Sequence, residues 1–173
     1  MAGRAPLTSS PGGAVPAPAR FAVIAARFNE AISKKLVDGA VGAFAERGVA
    51  TSAVEVHWVP GSFELPIAAL ALARTRRYAA LVCVGVVIRG ATPHFEHVTR
   101  EAAAGIRQVG LTTGVPVAFG LITALDEGQA WERAGGAVGN RGEEAALAAH
   151  EMVGFLARAK ANRRSPRRRG RRG

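Results

Sequence analysis

Apolar residues in this chain fall into short unbroken runs, separated by longer stretches in which they recur every three or four positions. Phe21–Ala26 (FAVIAA) is the first such run, and unbroken runs of this length fit parallel strands covered on both faces. Ala31–Arg47 then places Ile32, Leu36, Ala40, Val41 and Phe44 on one helical stripe, with Gly48 as its stop. Val54–Val59 reads as a second strand, broken by Pro60-Gly61, and Leu65–Thr75 as an Ala/Leu-rich helix that tolerates Pro66 in its first turn. Ala79–Ile88 (AALVCVGVVI) is the third strand and Phe95–Leu111 the third helix, ended by Thr-Thr-Gly-Val-Pro. Val117–Ile122 is the fourth strand. A short helix near Gln129–Ala134 and a longer one from Glu143 to Ala159 follow, with GGAVGNRG as their connection.

Strands alternating with helices predict an α/β fold: a three-layer α/β/α sandwich around a four-stranded parallel sheet, flavodoxin-like in type, with right-handed crossovers. Ligands of such sheets bind in the loops beyond the carboxyl ends of the strands. The loops to inspect are therefore Arg27–Asn29, Pro60–Glu64, Arg89–His97 and Thr123–Glu127.

Charge changes the picture only when located. The chain of 173 residues carries a net +10, yet Arg158–Gly173 alone holds nine Lys/Arg and no acid, leaving 14 cations against 13 acids before it. Residues 20–157 are thus read as one nearly neutral domain and residues 158–173 as a basic, disordered tail, either solvated or in non-specific contact with a polyanion. Residues 1–19, rich in Pro, Gly, Ala and Ser, are read as a disordered arm. They lack a secretory apolar core, and four prolines oppose an amphipathic targeting helix. No apolar run approaches the ~20 residues of a membrane span. The single cysteine, Cys83, sits inside a strand run, which favours a reduced compartment and a cytoplasmic location.

Candidate chemistry lies in the same loops. Phe28 at a strand end either stacks on a planar ligand or covers the sheet, and Asn29 is placed to cap the next helix. Ser62-Phe63-Glu64 enters a helix whose first N–H groups are free donors, although Glu64 there also suits the helix dipole. In Arg89–His97 a glycine turn leads into a helix, a geometry that cradles anions; GxxxxGK[ST] and GxGxxG are both absent. His94 suits proton transfer near neutral pH, or is simply exposed. His94, His97 and Glu101 have helical spacing for a metal, but no HExxH or cysteine cluster supports one. Arg133 suits a bidentate grip on phosphate, or a surface ion pair.

Taken together and in order, Phe28-Asn29, VPGSFELP (Val59–Pro66), GVVIRGATPHFEHV (Gly85–Val98), PVAFGLIT (Pro116–Thr123) and ERAGGAVGNRGEEAA (Glu132–Ala146) closely resemble the lumazine synthase family, over Arg20–Leu156. The resemblance implies riboflavin biosynthesis without metal or organic cofactor. 5-Amino-6-(D-ribitylamino)uracil and 3,4-dihydroxy-2-butanone 4-phosphate would condense to 6,7-dimethyl-8-ribityllumazine, phosphate and two waters. By matching motif, Phe28, Ser62, Phe63, Glu64, Val86, Val87, Ile88 and Phe119 would bind the ribitylaminouracil, with Phe119 reaching in from a neighbouring subunit. Ala91, Thr92 and Arg133 would hold the butanone phosphate, and His94 would move protons. Asn29 and Arg141 are further candidates, Arg141 standing where the family usually has lysine. The partners implied are the two substrates, copies of the same chain in pentamers and a sixty-subunit shell, and riboflavin synthase; the tail lies outside the family pattern. A scaffold using the fold without turnover would need neither His94 nor Arg133.

Overall fold

All six residues of β1 (Phe21–Ala26) are fully buried, as a strand with helices over both faces requires. Side chains alternate between those faces. Phe21, Val23 and Ala25 pack into one core cluster, and Ala22 and Ile24 into a second. Around β1 the computed structural model, which describes residues 14–164, arranges α1 (Glu30–Glu46), β2 (Val54–Val59), α2 (Leu65–Arg74), β3 (Ala80–Ile88), α3 (His94–Thr113), β4 (Val117–Ala124), α4 (Glu127–Glu132), β5 (Ala134–Gly136), β6 (Gly139–Asn140) and α5 (Arg141–Arg164). The main sheet has the order β2-β1-β3-β4 and is parallel throughout. One core cluster joins it to α1 and α5, the other to α2 and α3. The expected three-layer α/β/α sandwich of flavodoxin-like type is therefore the observed fold.

Small residues set how closely the layers approach. A Cβ added at Gly142 would lie 2.0 Å from the Leu36 carbonyl oxygen, so the start of α5 rests directly on the backbone of α1. Asn140 reinforces this contact by donating from Nδ2 to the Lys35 carbonyl at 2.9 Å. Gly105 leaves similar room for Pro66, whose Cβ and Cγ would be 2.7 Å away, between α3 and α2. Phe21 and Phe44, with ring centroids 4.4 Å apart, fill the space between β1 and α1.

Four local readings need correction. The GGAVGNRG connection is a small antiparallel hairpin, β5 paired with β6, with Gly135 and Gly139 at positive φ. Asn29 does not cap α1 with its side chain; its backbone carbonyl accepts from Ile32 and Ser33 instead. The first residues of the basic run are not disordered, because α5 continues from Arg158 to Arg164; Ala, Arg and Lys all favour helix. Residues 14–19 are not free of the domain, since Val15 and Ala19 pack against its core. The rest of the arm and tail, residues 1–13 and 165–173, lie outside the described residues. Among the described residues no helix is long and apolar enough to cross a membrane.

Candidate active site

The chain leaves β1 towards β2 on one side and returns to β3 on the other, so β1 and β3 flank the point where the strand order reverses. Open α/β sheets bind ligands beyond the strand ends at such a point. Here the register sharpens the geometry. The last β1–β3 partners are Ala25 and Val84, yet β3 continues to Ile88. Its β1-facing edge therefore has no strand partner over Gly85–Ile88, while β4 still pairs with it on the far side. Backbone N–H and C=O groups are strong donors and acceptors, and part of this edge faces a cavity of about 550 Å³. That volume suits a small-molecule ligand (~300–1,000 Å³).

Phe28 forms one rim. Its backbone is fixed, because Arg27 N–H donates to Val59 O at 2.8 Å and Phe28 N–H to Pro60 O at 3.2 Å. Its ring is nonetheless 73% exposed, an aromatic face held in place with nothing covering it. The next residue explains the sharp entry into α1: Asn29 adopts the left-handed conformation, φ 60° and ψ 45°, which asparagine tolerates better than most residues. From there its Nδ2 donates to the Val86 carbonyl at 3.3 Å, tying the end of β1 to the projecting part of β3.

Ser62, Phe63 and Glu64 form a 3₁₀ turn leading straight into α2. Ser62 is buried beside Gly85, where an added Cβ would stand 3.2 Å from Ser62 Oγ and 2.9 Å from Ala26 Cβ. Glu64 Oε2 lies 3.0 Å from the Cβ position of Gly61, so its carboxylate folds back over the turn. Phe63 points outward and is 58% exposed. The opposite wall comes from the β3–α3 loop and the first turn of α3, with Gly90, Thr92, His94, Phe95, His97 and Val98.

The cavity thus gathers Phe28, Ser62, Phe63, Glu64, Val86, Val87, Ile88, Thr92 and His94 from four separated segments. Five further residues line it: Gly61, Gly90, Phe95 and His97 fall within the loops singled out from the sequence but were given no substrate contact there, and Val98 lies just beyond them. Helical spacing held the signal for two of them, since positions three and four beyond His94 share its face of α3. Five other candidates do not line the cavity within this single chain. Asn29 stands behind it. Ala91 is exposed in the loop between Gly90 and Thr92.

Phe119 lies elsewhere, in a hollow of about 590 Å³ between α3, β4 and α5. Arg133 donates from Nη1 to Gln129 O at 2.9 Å and lies 3.8 Å from Glu132 Oε2. Arg141 pairs with Glu144. Backbone geometry nevertheless links these two arginines, because Arg141 N–H donates to Arg133 O at 2.9 Å across the base of the hairpin.

What this arrangement can do follows from its groups. An exposed aromatic face and an open strand edge suit a flat heterocycle with polar edges. Glu64 supplies a hydrogen-bond acceptor, and two imidazoles stand in the first turn of α3. Cys83 is no nucleophile here, because complete burial pushes its thiol up to about 12. Among the described residues no group of three or more His, Cys, Asp or Glu gathers to hold a metal ion. A family model described as 6,7-dimethyl-8-ribityllumazine synthase matches residues 18–157, most of the chain and all the segments that build this cavity. The chain belongs to the 6,7-dimethyl-8-ribityllumazine synthase family, and so to riboflavin biosynthesis.

Proposed function

We propose that this protein is a transferase that condenses 5-amino-6-(D-ribitylamino)uracil with 3,4-dihydroxy-2-butanone 4-phosphate. The observation that carries this reading is the juxtaposition of Phe28, the Ser62–Glu64 turn, the open Val86–Ile88 edge and His94 around one cavity of suitable size. Phe28 stacks on the pyrimidine, and the β3 edge hydrogen-bonds its polar rim. Glu64 holds ribityl hydroxyls, with Ser62 and Phe63 completing that wall. Ala91 and Thr92 begin the phosphate cradle at the head of α3.

In the proposed reaction the 5-amino group attacks the ketone and water leaves, giving an imine. A proton is lost from the hydroxyl-bearing carbon and phosphate departs from its neighbour; the enol left behind tautomerises to a new ketone, which the ribityl-bearing nitrogen attacks. Loss of the second water closes the lumazine ring. His94 shuttles protons in these steps, and holding the two reactants together supplies much of the acceleration. No metal or organic cofactor enters the scheme.

Arg133 balances the phosphate charge, with Arg141 beside it at the hairpin base. Phe119 meets the ring from an adjacent copy of the chain. Support for this shared site comes from exposed apolar side chains, including Leu111, Phe119, Met152 and Phe155, since grouped exposed apolar surface marks association. Closed pentamers, assembled into a sixty-subunit cytoplasmic shell that associates with riboflavin synthase, complete the proposal. The test is direct: purified protein mixed with both substrates should develop the lumazine absorbance and release phosphate. A well-folded, assembled sample that forms no lumazine would overturn the reading.

A further inference from the structure

The basic run at the C-terminal end is not used by the proposed reaction, and it lies beyond the family match, which ends at residue 157. The structure shows how it starts. Ala145, Ala146, Ala149 and Val153 bury α5 against the domain, but every residue from Arg158 to Asn162 is exposed while the helix runs on to Arg164. The domain provides no acids for this end: Arg158 and Lys160 enter none of the ion pairs found among the described residues. The exposed end of α5 thus presents the first cations of the run, Arg158 and Lys160, on a body that is itself nearly neutral.

Composition selects the partner. Eight of the nine cations in Arg158–Gly173 are arginine, and the other residues are only Ala, Asn, Ser, Pro and Gly. Arginine grips phosphate oxygens bidentately and keeps its charge at any physiological pH. A helix that lies on a membrane needs an apolar face as well as charge, and no large apolar residue follows Leu156. Base stacking and base reading are also unsupported, because the run has no aromatic residue.

We propose that the exposed end of α5 and the arginine-rich run after it bind nucleic acid through its phosphodiester backbone, without sequence preference. This site is separate from the cavity and independent of the reaction proposed for it.

The experiment measures anisotropy of a fluorescein-labelled single-stranded oligoadenylate, on the order of thirty nucleotides, titrated with the full chain from about 50 to about 200 mM salt. Each phosphate neutralised on a single strand contributes a slope of about −0.7 in log K against log salt. Engagement of most of the run predicts a slope of about −3 to −6 and an affinity loss of roughly 60- to 4,000-fold across that range. A variant with Arg→Gln at Arg163, Arg164, Arg167, Arg168, Arg169, Arg171 and Arg172 keeps chain length and the two preceding cations. It should bind at least ~50-fold more weakly at the lowest salt, with unchanged far-ultraviolet circular dichroism and unchanged activity at the cavity. The wild-type slope tests the idea without any variant. A slope near zero, equal binding by the variant, or tighter retention on phosphatidylserine vesicles than on the oligonucleotide at the same salt would each overturn the proposal.

Discussion

Asn29 donates its side-chain amide to the main-chain carbonyl of Val86, 57 residues away, at 3.3 Å. This contact joins the two strand ends that flank the cavity, and it is made by a residue whose backbone sits in the left-handed region. Glycine can occupy that backbone without strain, so Asn29→Gly removes the amide while leaving the turn. A neutral hydrogen bond contributes ~0.5–1.5 kcal/mol. The expected outcome is a modest loss of stability together with a several-fold rise in KM for the ribitylaminouracil, read by thermal unfolding and steady-state kinetics. An unchanged KM would confine Asn29 to a structural role.

Arg133→Ala should raise KM for the butanone phosphate by at least ~10-fold, because a charge-assisted hydrogen bond to an ionised partner is worth ~1.5–3 kcal/mol. KM for the uracil substrate should change little. Varying each substrate in turn separates the two, and an equal effect on both would mean that the mutation disturbs the hairpin rather than the phosphate.

His94→Ala should lower kcat by about 10-fold. General acid–base groups commonly contribute ~10²–10⁴-fold, but a reactive amine held beside its ketone carries much of this rate through proximity. The loss should fall on kcat, with little change in KM for either substrate, as expected of a group that moves protons rather than one that binds. A variant that matches the wild type in kcat removes His94 from the reaction.

Acid stability has its own local source at the opposite end of the sheet. Glu55 accepts from the Tyr78 hydroxyl and from Arg20, with Arg77 Nη2 3.1 Å away. The Tyr78 bond first, then that to Arg20, lowers its pKa from 4.5 to about 2. Since the folded value lies below the unfolded one, the stabilisation is complete above pH 4.5 and is lost as pH falls towards 2. Glu55→Gln should therefore be less stable at neutral pH and should show a smaller loss of stability across that acid window. Denaturant midpoints at several pH values measure both; a mutant with the wild-type acid slope would assign the slope to other carboxylates.

The strands and the loops at their ends were legible in the sequence because parallel strands buried on both faces must be apolar throughout, as FAVIAA and ALVCVGVVI are. The same logic located Phe28, Ser62–Glu64 and His94, each of which follows a strand. The hairpin of β5 and β6 escaped it, since strands of three and two residues are too short to display alternation, and its glycines read as a loop. The C-terminal boundary failed for a different reason. Charge density suggested disorder, while the helix propensity of Ala, Arg and Lys carried α5 seven residues past Ala157. Phe119 lies in a separate hollow and not in the cavity of its own chain, so its proposed contribution from a neighbouring copy has no counterpart in the geometry of one chain.

The edge of β3 beyond Val84 has a consequence for how such a site can change over time. Whatever rests against it meets peptide groups, which every residue type other than proline supplies in full. Point mutations at Val86, Val87 and Ile88 can alter bulk, but they leave that pattern of donors and acceptors intact. The hereditary information for this part of recognition lies in the unequal lengths of two neighbouring strands. A deletion that pulled back the end of β3 would erase it more thoroughly than any exchange of side chains.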